Sequence, residues 1–103
     1  VVKGMESLDL LVVQEIFLSE TAKLADVVLP GTTFLEKEGT FTNTERRVQR
    51  VNKAAEPLPG TKPDGVIVTE MMQKLGYDQP MYDADQVLAE VADVVPFFEG
   101  ITR

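Results

Sequence analysis

The sequence predicts an α/β fold, a small parallel-sheet domain with helices, on three observations. Two short apolar runs, Leu8–Gln14 and Ala25–Pro30, flank a stretch of helix formers. Apolar residues in the last third recur at helical spacing. The chain has 103 residues, 44% hydrophobic and 26% charged, which is material for one folded domain, 1–103, and not for a disordered segment.

Leu8-Asp9-Leu10-Leu11-Val12-Val13-Gln14 is too continuously apolar for a strand with one wet face. It reads as a parallel strand covered on both sides. Ser19-Glu20-Thr21-Ala22-Lys23-Leu24-Ala25 opens on an N-cap type and continues in helix formers, so a short helix is expected. Ala25-Asp26-Val27-Val28-Leu29-Pro30 is a second strand, closed by a proline that cannot extend a ladder. Strand, short helix and strand make a βαβ unit. Thr40–Asn43 and Arg47–Val51 are two further extended segments, and together these elements form a first region spanning 1–56. Pro57, Pro59, Gly60 and Pro63 mark a linker, 57–63, that no regular element crosses. In the helical region, 64–103, Asp64 can cap a helix with Val66, Ile67, Met71, Met72 and Leu75 on its apolar side. Gly76 supplies the left-handed stop. Met71 and Met72 read as core filler. A last helix runs from Asp83 or Asp85 to about Val95 and is stopped by Pro96.

Composition closes most chemistry. With no cysteine there is no disulfide, thiolate metal site or thiol nucleophile. With no histidine there is no imidazole base. Net charge is −7 and pI about 4.5, which opposes binding to nucleic acid or anionic membranes. The charge is uneven: residues 1–43 carry −4, residues 44–63 carry +3 and residues 64–103 carry −6. No apolar run approaches the roughly 20 residues of a membrane span, so no membrane insertion is expected. Glu36 and Glu38 lack the company a metal site needs, and neither a GxGxxG pattern nor a P-loop is present.

Two stretches carry candidate binding residues. Open α/β sheets bind ligands at the carboxyl ends of their strands. The first strand delivers Gln14 and Glu15 there, and the following turn delivers Ser19, Glu20 and Thr21. A carboxylate so placed accepts N–H bonds from a guanine or ribose edge, and Ser19 adds a hydroxyl. Equally, Glu15 can be a solvated strand-end charge and Ser19 an N-cap. The second stretch, 39–50, holds Thr42, Asn43, Glu45 and Arg46 among further guanidiniums, a set able to grip an anionic or heterocyclic ligand. Its plainer reading is a solvated hairpin with Glu45 paired to a neighbouring arginine.

The runs LDLLVVQEIFLSETAKLADVVLP (8–30) and EKEGTFTNTERRVQRV (36–51) closely resemble the third domain of the molybdopterin oxidoreductase family, above all its formate dehydrogenase alpha subunits. Lys62-Pro63-Asp64, with the following helix ending in Lys74-Leu75-Gly76-Tyr77, continues the resemblance over nearly the whole chain. It implies a parent subunit holding molybdenum or tungsten between two pterin guanine dinucleotides. That parent oxidises formate to carbon dioxide and passes electrons through an iron–sulfur cluster to electron-transfer subunits in the cytoplasm. The cluster cysteines and the metal-ligating cysteine or selenocysteine of such enzymes are absent here. The chain is then expected to be one wall of the cofactor cradle, inactive and without bound cofactor alone, its partners being the remaining domains of the parent. By the resemblance, Glu15 stands where the family usually has an aspartate contacting a guanine, and Ser19 matches a threonine near the same group. Gln14 and Thr21, at the same strand edge and turn, are counted with them as cofactor-binding. Gly39, Thr42, Asn43, Glu45, Arg46 and Gln49 match the loop that packs toward the cofactor. The same domain of a nitrate reductase or of an NADH dehydrogenase large subunit is the alternative within the family. A stand-alone interaction module is the alternative outside it.

Overall fold

The computed structural model describes residues 1–101. The regular elements are α1 (Val2–Met5), β1 (Val12–Glu15), β2 (Val27–Pro30), β3 (Gly39–Thr42), β4 (Val48–Val51), α2 (Asp64–Lys74) and α3 (Ala84–Val94). Single 3-10 turns lie at Ala22–Leu24, Phe34–Glu36 and Pro96–Phe98. The α/β class read from the sequence is the class observed. β1 and β2 pair in parallel, Val12 opposite Val27 and Glu15 opposite Pro30. β3 and β4 form an antiparallel hairpin, Gly39 opposite Val51 and Thr42 opposite Val48.

The expected strand 8–14 shortens to β1 because Asp26 intercepts the backbone before it. Asp26 Oδ2 accepts from the Leu11 amide at 2.7 Å, and the Leu11 carbonyl accepts from the Asp26 amide at 2.9 Å. Nor is the strand covered on both faces, since Val12 and Val27 are 41% and 42% exposed. Two four-residue strands are too narrow to carry a helical layer on each side. The helix expected over 19–25 is reduced to the 3-10 turn at Ala22–Leu24, after which Ala25 returns to extended backbone. The short connection from β1 to β2 leaves no room for a full helix and two loops.

The helix ends follow the sequence signals. Gly76 takes φ +90°, its amide donating to Gln73 O at 3.0 Å and the Tyr77 amide to Met72 O at 3.1 Å, the paired bonds of a Schellman stop. Asp83 caps α3 by accepting from the Asp85 and Gln86 amides, both at 2.9 Å. At α2 the cap differs from expectation. Pro63 holds the N-cap position, and Asp64 is the first helical residue with its side chain committed elsewhere. Met71 is 44% exposed rather than core.

The linker and the residues just before it are tied to the first region. The Ala54 and Ala55 amides donate to Leu35 O at 2.8 and 3.0 Å, and the Leu58 amide donates to Glu36 Oε1 at 3.1 Å. The Lys62 amide donates to Pro30 O at 3.1 Å and the Gly31 amide to Glu15 O at 3.1 Å, so a parallel bridge, Gly31 to Lys62, prolongs the β1–β2 pair toward α2.

Among the described residues the buried apolar core consists of Ala22 and Ile67. The Cα radius of gyration is 16.2 Å, against about 13 Å for an isolated domain of this length. Large apolar side chains lie open on several sides, among them Leu10, Phe17, Leu18, Leu58 and Phe97. The chain does not cover its own apolar surface.

Candidate functional site

The carboxyl ends of β1 and β2 meet the first turn of α2 in a polar junction. Gln14 Nε2 donates to Asp64 Oδ1 at 2.5 Å, and Lys37 Nζ donates to Asp64 Oδ2. Lys37 Nζ also lies 3.4 Å from the Thr32 carbonyl. Gly31 sits against this group, where an added Cβ would stand 3.3 Å from Asp64 Oδ1. Thr32 is 1% exposed and its hydroxyl has no hydrogen-bond partner among the described residues. Burial pushes the Asp64 carboxyl up, but the hydrogen bonds from Lys37 and Gln14 and the lysine charge outweigh it, so its pKa falls below the ordinary 3.8.

Behind the junction, Thr33 and Glu36 form a capping box around the 3-10 turn. The Thr33 amide donates to Glu36 Oε2 at 2.8 Å, and its hydroxyl does so at 2.9 Å. These bonds, the Thr33 amide first, lower the Glu36 pKa below 4.5. Glu36 is thus a clamp between this turn and Leu58, not half of a carboxylate pair.

Of the residues singled out in the sequence, Gln14 joins the junction. Glu15 lies beside it with Oε1 accepting from the Ile16 amide at 2.9 Å. Ser19 Oγ accepts from the Ala22 amide at 3.3 Å, a local cap, and Thr21 is exposed in the same turn. Thr42, Asn43, Glu45 and Arg46 gather separately at the hairpin tip. The Arg46 amide donates to Asn43 O at 3.0 Å, the Asn43 amide to Arg47 O at 3.0 Å, and the Arg47 amide to Asn43 Oδ1 at 2.9 Å. Arg46 takes φ +62°, a left-handed conformation costly for a residue with a Cβ. Glu45 forms no ion pair with the described arginines, so the expected pairing is not made. No hydrogen bond or ion pair among the described residues joins the hairpin tip to Gln14, Glu15, Ser19 or Thr21.

Sequence reasoning missed Lys37, Thr32 and the long-range role of Asp64. The only local signal was a charged residue directly after Pro63. Between the hairpin and α3 lies a cleft of about 410 Å³ walled by Phe34, Phe41, Val48, Val87, Leu88 and Val91. At its end the Tyr82 ring covers Gly65 so closely that no Cβ fits there. Among the described residues no group of three or more acidic side chains is placed to hold a metal ion. No helix among them is long and apolar enough to cross a membrane.

A short parallel pair whose carboxyl edge carries an amide, a carboxylate and hydroxyls, together with a hairpin and helices, makes this a small α/β domain. A family model for molybdopterin oxidoreductase matches residues 1–74, and the chain belongs to that family. It is 51% identical over 102 residues to the F420-dependent formate dehydrogenase subunit alpha of Methanocaldococcus jannaschii, covering 97% of this chain and 15% of that protein. It is 47% identical over 102 residues to the F420-dependent formate dehydrogenase 2 subunit alpha of Methanococcus maripaludis, with the same coverage of 97% and 15%. A Bacillus subtilis protein named as a probable oxidoreductase, YjgC, is 52% identical over 101 residues, covering 94% of this chain and 10% of that protein. The chain therefore spans 10–15% of the length of these relatives.

The open acceptors at this edge are chemically compatible with a ligand that presents N–H groups. A guanine edge offers N–H donors, and Glu15 Oε2 and Gln14 Oε1 are acceptors that no described residue occupies. Arg46, Arg47 and Arg50 are exposed cations of the kind that hold phosphate. With no cysteine or histidine, the chain has no thiolate or imidazole ligand for the metal itself.

Proposed function

We propose that this chain forms one wall of the cofactor cradle of a formate dehydrogenase alpha subunit. That parent holds molybdenum or tungsten on two pterin guanine dinucleotides and oxidises formate to carbon dioxide. Its electrons leave through an iron–sulfur cluster to electron-transfer subunits, and it works in the cytoplasm. The carrying observation is the 51% identity over 97% of this chain to a protein named as a formate dehydrogenase alpha subunit. A core of two buried apolar residues among those described supports the same reading, because the open apolar faces would be covered by the remaining domains of the parent. Gln14, Glu15, Ser19 and Thr21 face the guanine end, and Thr42, Asn43, Glu45 and Arg46 form the second wall. Residues 1–103 act as one domain in which the 57–63 segment straps the region spanning 1–56 to the helical region spanning 64–103.

Formate-dependent dye reduction tests this reading. The parent polypeptide reduces dye with formate, and the 103-residue chain alone gives no more than a heat-killed control. A parent that turns over nitrate and not formate overturns the substrate. Activity in the isolated chain overturns the cradle role.

A further inference from the structure

We propose that Lys37 and Asp64 are positioning residues that fix the Gln14 amide with its carbonyl oxygen outward, as an acceptor selecting guanine over adenine. The inference rests on the reading that this edge faces a guanine dinucleotide. Asp64 accepts from Gln14 Nε2 through Oδ1 and from Lys37 Nζ through Oδ2. An ionised carboxylate has no proton to donate, so Gln14 must turn its NH₂ group toward Asp64. The opposite end of the same planar amide is then a carbonyl oxygen, on an exposed side chain and without a partner among the described residues.

Lys37 donates to the second oxygen of the Asp64 carboxylate and so holds that group in place against Gln14. It is itself steadied by the carbonyl of the buried Thr32, whose orphan hydroxyl marks this junction as incompletely satisfied. Guanine presents N1–H and a 2-amino group as donors to an outward carbonyl. Adenine presents an acceptor nitrogen at N1 and a bare C–H at position 2, so the same oxygen repels it. Without Asp64 the amide can turn by half a rotation and loses this polarity.

The test is the ratio of GDP to ADP affinity, measured by titration calorimetry on the parent polypeptide freed of its cofactor. The unsubstituted parent prefers GDP. Asp64→Asn and Lys37→Met each lower that preference about two- to twelvefold, the span of one hydrogen bond. In a Gln14→Ala background neither change has a further effect on the ratio, which separates positioning through Gln14 from simple loss of stability. A ratio unchanged in both variants overturns the positioning role and leaves the cradle reading standing. An unsubstituted parent with no preference for GDP overturns both.

Discussion

Replacing Arg46 by glycine should make the chain more stable, although it removes a charged side chain from a candidate binding segment. Arg46 holds φ +62° in the turn closed by its amide on Asn43 O at 3.0 Å. A Cβ in that region costs about 1–2 kcal/mol. Glycine relieves this but loses about 0.5–1 kcal/mol through its freer unfolded state. The balance is a gain of about 0.5–1 kcal/mol, since the Arg46 guanidinium has no partner among the described residues that would be lost. Urea denaturation followed by circular dichroism reads the difference as a higher midpoint at constant slope. Arg46→Ala is the control: it removes the charge, keeps the Cβ and brings no gain. Backbone strain retained at a binding loop is expected to serve the ligand, so Arg46→Gly should also lower cofactor retention in the parent. An Arg46→Gly chain less stable than the original would refute the argument, because the arginine side chain would then be holding the loop.

Gly65→Ala gains helix propensity of about 1 kcal/mol, yet its Cβ enters the space of the Tyr82 ring, and overpacking of about 1–3 kcal/mol should win. Gly65→Ala combined with Tyr82→Ala should recover stability relative to Tyr82→Ala alone, and failure to do so would show that the ring is not the obstacle. Both Asp64 and Glu36 have pKa values lowered on folding, so each contributes stability that is complete above its unfolded value and lost as pH falls through the folded one. Melting temperature should therefore decline below about pH 4.5 with the lowered carboxylates, and Asp64→Asn should flatten part of that decline. The Asp64 share is small because its side chain is half exposed. In the parent, Glu15→Ala should weaken retention of guanine nucleotide by the weight of a charged hydrogen bond, about 1.5–3 kcal/mol, read as less nucleotide released per polypeptide, while Glu15→Asp is tolerated. Unchanged nucleotide content in Glu15→Ala would leave Glu15 facing solvent.

What the sequence made legible was local. Strand β2 ends at Pro30, the hairpin strands fall within one residue of expectation, and Gly76 and Pro96 stop their helices because each signal acts on its own backbone. The failures were those of context. Leu8–Leu11 are apolar enough for a strand, but Asp26 takes the Leu11 amide. Ser19–Ala25 favours a helix, but the short return to β2 permits a single turn. The junction was illegible because Asp64 meets Gln14 across 50 positions and Lys37 across 27, and no local pattern encodes such a pairing. Of the candidate site residues, Asn43 and Ser19 satisfy backbone amides of their own loops, so some of the polar character at these positions shapes the loops themselves.

The central claim is that this chain walls a cofactor, and amide hydrogen exchange on the parent polypeptide, with and without its pterin cofactor, tests it most directly. Cofactor binding should slow exchange at 14–21 and at 42–49 together if, as proposed, both loops present amides and side chains to the same ligand. Protection confined to regions outside this chain, with 14–21 and 42–49 exchanging equally in both forms, would contradict the account.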